Sequence, residues 1–127
     1  MKQETRNKKI NQLEDFQAWQ EAVILAELIY KITKDLPKEE QFGLTGQLRR
    51  AAVSVSANLA EGFGRQHSKD KEHFYVTARG SLYEVKSLLA VSERLQYYKD
   101  VEDILGAQLR KCLNFVGALI RAHRSPV

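Results

Sequence analysis

The fold of this chain is decided by residues 44–65, which read LTGQLRRAAVSVSANLAEGFGR. Small residues dominate this stretch, and at 100° per residue one helix face is continuously apolar. The members of that face are Leu48, Ala52, Val55, Leu59 and Gly62. Two more apolar residues, Val53 and Ala60, point away from it. A helix with a core face and a second apolar flank packs against more than its own bundle, so the segment predicts assembly rather than catalysis.

Length and composition indicate one domain. The chain has 127 residues, of which 43% are hydrophobic, enough to bury a core. A single cysteine, Cys112, excludes an intrachain disulfide framework and is typical of a reducing compartment. No apolar run approaches the roughly 20 residues of a membrane span, and the N-terminus lacks the apolar segment of a secretory signal. These features predict a cytoplasmic protein with no membrane partner. The net charge of +4 permits an anionic partner without establishing one.

Hydrophobic periodicity predicts four helices. Residues 1–14 are polar and aperiodic, which indicates a flexible basic tail ahead of a domain at residues 15–124. Gly62 and Gly64 are predicted to end the second helix. Four helices of about 20 residues with short connections predict an all-α, up-down-up-down four-helix bundle. The predicted N-caps are Asp15, Thr45, Ser68 and Asp100.

Each of the other helices has its own predicted core face. On the first helix it consists of Phe16, Trp19, Val23, Ala26, Tyr30 and Thr33. On the third helix it consists of Phe74, Ala78, Leu82, Val85, Leu89 and Ser92. On the fourth helix it consists of Leu105, Leu109, Cys112, Val116 and Leu119. Cys112 is therefore predicted to be a small buried hydrophobe.

A second set of apolar residues predicts self-association. On the first helix, Ile24, Leu28 and Ile32 form an apolar ridge at a spacing of four residues, opposite Trp19 and Tyr30. The outer side of the third helix adds Val76, Tyr83 and Ala90. Single surface apolar residues are normal, but a patch of this extent is larger than monomers usually expose. The predicted interface of the homo-oligomer consists of Ile24, Leu28, Ile32, Val53, Ala57 and Ala60.

Residues 47–55 (QLRRAAVSV) and 57–62 (ANLAEG) resemble the hallmark of the bacterial four-helix bundle proteins encoded by 23S rRNA intervening sequences. Residues 78–84 (ARGSLYE) also fit, and the resemblance covers roughly residues 14–120. It implies a left-handed bundle that assembles as a ring-like homopentamer. Related accessory proteins of diversity-generating retroelements share that architecture and are thought to bind nucleic acid and a reverse transcriptase. Ser56 stands where the family often has proline, which predicts a straighter second helix.

Basic residues recur on the outer side of the fourth helix. Arg110, Lys111, Arg121 and Arg124, here called the basic stripe, lie within 15 positions of each other. Such a stripe can follow a phosphate backbone, or it can be a solvated face whose C-terminal cations favour the helix dipole. Arg49 and Arg50 of the second helix are candidates for phosphate contacts, for ion pairs between subunits, or for a solvated face.

Other polar and aromatic residues favour structural roles. The three histidines, His67, His73 and His123, lack metal-ligand spacing, so no metal or cofactor is predicted. Asn58 is predicted to be a buried amide that fixes helix register or caps backbone. A pair of tyrosines, Tyr97 and Tyr98, can stack on bases, but a cover over the end of the bundle is favoured.

The sequence therefore predicts a non-enzymatic homo-oligomer that presents basic surfaces to RNA or DNA. No acid–base pair or metal cluster converges in it. The alternative is a protein-interaction scaffold without a nucleic-acid role, for which a reverse transcriptase or another protein is a candidate partner.

Overall fold

The computed structural model of the chain describes residues 12–124, and every regular element in that range is helical. The four main helices are α1 (Gln17–Thr33), α2 (Leu44–Phe63), α3 (Ser68–Arg94) and α4 (Ala107–His123). Short 3-10 turns precede α1 (Leu13–Asp15) and α2 (Lys38–Glu40), and a π-helical turn (Glu102–Gly106) runs directly into α4. None of the described helices is long and apolar enough to cross a membrane.

Consecutive helices are antiparallel neighbours, and α4 returns beside α1. The Arg49 guanidinium at the start of α2 donates to Thr33 Oγ1 at the end of α1 (2.9 Å). Ser54 of α2 lies 2.9 Å from Ser81 of α3, hydroxyl to hydroxyl. Gln108 of α4 donates to the Glu21 carbonyl of α1, also over 2.9 Å. The predicted four-helix arrangement is therefore confirmed within the chain. Residues 1–11 of the predicted tail lie outside the described range, and Leu13 packs against the core.

The predicted core face of α2 is confirmed, because all five of its members are buried. The role of Gly62 differs from the prediction. Gly62 lies inside the helix, which ends at Phe63, and a Cβ there would come within 2.6 Å of the buried Tyr75 ring of α3. This glycine is required for close helix packing rather than for ending the helix.

The predicted core face of α1 is correct only in part. Val23 and Tyr30 are 41% and 43% exposed, and Trp19 and Ala26 are only partly buried. Thr33 is the one predicted member within α1 that lies in the core, together with Phe16 just before the helix. The buried set is Ala18, Ala22, Leu25, Ile29 and Thr33. The alanines Ala18 and Ala22 are therefore buried, whereas the aromatic Trp19 is only partly buried and Tyr30 is exposed.

The cores of α3 and α4 follow the prediction with one change each. Tyr75 rather than Phe74 is buried on α3, and Ile120 rather than Leu119 is buried on α4. In each helix the buried position shifts by one residue, near the N-terminus of α3 and near the C-terminus of α4. The remaining predicted members are buried, including Cys112.

The predicted side-chain caps at the four helix starts are wrong. Phe16, Gly43 and His67 occupy the N-cap positions of α1, α2 and α3, and none makes a side-chain cap hydrogen bond. Instead Glu40, in the turn before α2, accepts from the Leu44 N–H (3.1 Å) and replaces the expected cap. Asp100 contributes its backbone carbonyl, which accepts from the Ile104 N–H.

The two tyrosines after α3 close the end of the bundle, as predicted. Tyr97 donates to Glu40 Oε2 over 2.9 Å, and Tyr98 donates to the Ile32 carbonyl over 2.6 Å. The connection between α3 and α4 is thereby fastened to the connection between α1 and α2.

Candidate nucleic-acid and assembly surfaces

The basic stripe lies on the exposed side of α4, and three of its four cations face carboxylates of the same chain. Arg110 pairs with Glu102 of the π-helical turn. Two other pairs, Lys111–Glu21 and Arg124–Glu72, each span 3.7 Å and reach α1 and α3.

Arg121 differs from the other members of the stripe. Its guanidinium lies over Gly117, where an added Cβ would meet Nη1 at 3.4 Å. Within residues 12–124 no carboxylate lies within 4.0 Å of it, although each of the other three members has one. Arg121 is therefore the stripe member that is most available to an external anion.

Arg49 and Arg50 have different environments. Arg49 is half-buried, donates to Thr33, and stacks over the Tyr30 ring at 4.5 Å. These contacts give Arg49 a structural role between α1 and α2. Arg50 is exposed and lies 3.7 Å from Glu84 of α3. An exposed pair of this kind contributes about 0–1 kcal/mol, so Arg50 stays accessible to other anions.

The six predicted interface residues divide by exposure. Ile24 and Val53 are 40% and 43% exposed, and Ala57 is exposed as well. Ala60, Leu28 and Ile32 are half-buried, and the last two pack against the core of their own chain. Two of the three residues in the α1 ridge, Leu28 and Ile32, therefore contribute to packing within the monomer.

Apolar exposure extends beyond the predicted interface. Phe42, in the connection between α1 and α2, is 90% exposed. Leu95 and Ile104 near the same end of the bundle are about half exposed. The sequence predicts that Leu36 and Phe42 anchor the first connection onto the core and that the core repeat of α3 carries on to Leu95. Leu36 is buried as predicted, but the exposure of Phe42 and Leu95 shows that the prediction is wrong for these two residues. Ile104 belongs to no predicted core repeat, because it lies in the irregular π-helical turn.

Asn58 is half-buried and caps backbone within α2 as part of a local hydrogen-bond network. Its amide donates to the Ser54 carbonyl (2.9 Å) and to the Ser54 hydroxyl (3.1 Å), which in turn meets Ser81. This matches the predicted structural role.

Two titratable groups serve the fold. Burial raises the pKa of the Cys112 thiol to about 12, so the thiol stays protonated at neutral pH. Lys71 donates to the Gly62 and Phe63 carbonyls at the end of α2, and desolvation lowers its pKa. Gly64 occupies the C-cap position of α2, as predicted, and Lys71 of α3 adds side-chain hydrogen bonds to the last carbonyls of that helix. Residues 12–124 contain no group of three or more His, Cys, Asp or Glu side chains placed to hold a metal ion.

The fold and its surface define an all-helical four-helix-bundle protein whose distinctive groups lie on the outside. The chain belongs to the 23S rRNA-intervening sequence protein family, whose model matches residues 14–121. The match confirms the resemblance that residues 47–62 carry. A search of the curated proteins found no match.

Proposed function

We propose that this chain is a non-enzymatic, cytoplasmic protein that assembles with copies of itself and presents its basic stripe to RNA or DNA. The observation that carries the proposal is the outward position of the stripe, with Arg121 available to an anion. Family membership supports a role related to nucleic acid, because the family is described by the intervening sequences of 23S rRNA.

Assembly is part of this proposal. Ten large apolar residues between positions 23 and 104 are at least 40% exposed, and covering them stabilises an oligomer. The resemblance to the family favours a ring-like homopentamer with a left-handed bundle in each subunit. Light scattering at micromolar concentration should then give a mass near five chains, and a monomeric mass would contradict this part of the proposal.

Repetition explains how a sparse stripe can bind a polyanion. One subunit offers few phosphate contacts, whereas a closed oligomer repeats the stripe around its rim. Binding should be weakly selective for sequence and steeply dependent on salt, with a log–log slope of about −0.9 per phosphate neutralised on duplex DNA and about −0.7 on single strands.

The test is binding to RNA and to DNA across a salt series. The triple variant Arg110→Gln, Arg121→Gln, Arg124→Gln should weaken binding to every sequence alike and flatten the salt slope. A control in which Lys34, Lys38 and Lys99 become Gln removes the same net charge outside the stripe. If both triple variants weaken binding equally, the stripe has no special role.

The second candidate function is a protein-interaction scaffold, with a reverse transcriptase or another protein as its partner. The intramolecular pairs of Arg50, Arg110, Lys111 and Arg124 favour this alternative, because they satisfy much of the basic charge within the chain. Absence of wild-type binding to RNA and DNA at low salt would favour the scaffold.

A further inference from the structure

Phe42 lies in the connection between α1 and α2 and is 90% exposed. It is absent from the buried core and from the residues packed against it. Burying a large aromatic side chain is favourable, and such side chains supply much of the stability of protein interfaces. The monomer therefore displays an aromatic protrusion without apolar cover from its described residues.

A cavity of about 270 Å3 opens between α3 and α4. Leu89, Leu109 and Leu113 line it, and Ala90 lies at its exposed side. An apolar cavity of about 150 Å3 is enough to hold a benzene molecule, so this one has room for a phenyl ring. Charged residues, including Glu102 and Arg110, surround the apolar part.

One wall of this cavity is built by an irregular element. The π-helical turn Glu102–Gly106 brings the Glu102 side chain across Gly106, where any Cβ would collide with the carboxylate. Glu102 then pairs with Arg110 at the edge of the cavity. Single π-helical turns occur frequently at functional sites.

The protrusion and the cavity lie at the same end of the bundle but on opposite edges. Contacts of Tyr97 with Glu40 and of Tyr98 with Ile32 bring the two connections to one end. Because the helices neighbour one another in chain order, the α1–α2 edge is opposite the α3–α4 edge. A protrusion and a recess on opposite edges at one level are complementary between copies that stand side by side in the same orientation.

We infer that Phe42 of one copy docks in the α3–α4 cavity of the next copy. The inference rests on the proposed self-assembly and names the two surfaces that meet in it. Exposed Val23, Tyr30 and Val53 add apolar surface on α1 and α2, the two helices that the Phe42 connection joins. A head-to-tail contact of this type gives a ring when the rotation between copies closes.

Two single variants test the contact from its two sides. Phe42→Glu removes the protrusion, and Ala90→Glu places a charge at the exposed side of the cavity. Each should raise the dissociation constant of the oligomer by at least about tenfold, as truncation of an interface anchor does. The matched controls, Gln41→Glu and Ser87→Glu, alter exposed polar residues nearby that do not line the cavity and should keep the wild-type mass. Circular dichroism of every variant checks that the helices are retained.

Mixing the two variants gives the decisive measurement. Phe42→Glu keeps its cavity and Ala90→Glu keeps its protrusion, so a one-to-one mixture has a single intact junction and should form dimers. Sedimentation velocity should show monomers for each variant alone and dimers for the mixture. The docking is overturned if both variants keep the wild-type mass, or if the mixture stays monomeric. If wild type is itself monomeric, the proposed self-assembly fails and the docking fails with it.

Discussion

The contact between Gly62 and Tyr75 allows a stability prediction with a built-in control. A Cβ at position 62 would lie 2.6 Å from Tyr75 Cε1 and 3.1 Å from Phe74 Cβ. Gly80, in the middle of α3, would place its Cβ in open space, with no atom within 4 Å. Replacing either glycine by alanine adds about 1 kcal/mol of helix propensity. Overpacking at position 62 costs about 1–3 kcal/mol, and position 80 has no such cost within the chain.

Gly80→Ala should therefore stabilise the protein by about 1 kcal/mol, whereas Gly62→Ala should leave it unchanged or destabilise it by up to about 2 kcal/mol. For a chain of this length, 1 kcal/mol corresponds to roughly 3–5 °C in the melting temperature. Urea and thermal unfolding at one fixed protein concentration measure both variants, because assembly makes stability depend on concentration. Equal stability of the two variants would refute the packing role of Gly62.

Three further predictions use other contacts. Tyr97→Phe removes the donor to Glu40 and should lower the free energy of unfolding by about 1 kcal/mol, as measured by urea unfolding; an unchanged midpoint would mean that this hydrogen bond adds nothing. The raised pKa of Cys112 contributes stability that is complete below pH 9, the usual thiol pKa, and is lost as pH rises towards about 12, so unfolding between pH 8 and 11 should depend less on pH in Cys112→Ala than in wild type. Ile24→Glu should weaken assembly and leave the bundle folded, whereas Leu28→Glu should also lower the melting temperature, because Leu28 packs against its own core; equal melting temperatures would contradict this distinction.

The core of α2 could be predicted because its sequence offers few alternatives. Polar residues and the arginines leave one broad apolar face, and only small residues flank it. The sequence of α1 is different, since apolar residues occupy almost its whole circumference. Periodicity then permits more than one face, and preferring the large residues selected Val23 and Tyr30 over Ala18 and Ala22. Close helix packing favours the opposite choice, because alanine lets the backbones approach.

The ion pairs of the candidate site could not be predicted for a different reason. Lys111 with Glu21 and Arg124 with Glu72 join residues that are far apart in sequence. Pairing them requires the axial register of neighbouring helices, which hydrophobic periodicity does not determine. The pair of Arg110 with Glu102 also depends on the π-helical turn, because a regular helix brings together residues three or four apart rather than eight.

The same ion pairs make nucleic-acid binding depend on assembly. A phosphate that binds Arg110 or Arg124 displaces the carboxylate with which that arginine is paired. The gain in binding free energy is therefore reduced by what the exposed ion pair contributed. Arg121 contributes without this loss, but one such cation in the stripe of each subunit is too few to hold a polyanion. A monomeric variant that keeps every cation, such as Phe42→Glu if it dissociates the oligomer, should therefore lose most of the affinity for RNA and DNA at moderate salt. The measurement is binding at equal chain concentration for the variant and wild type, with Gln41→Glu as the assembled control. Equal affinity per chain in the monomeric variant would mean that the stripe of a single subunit is sufficient.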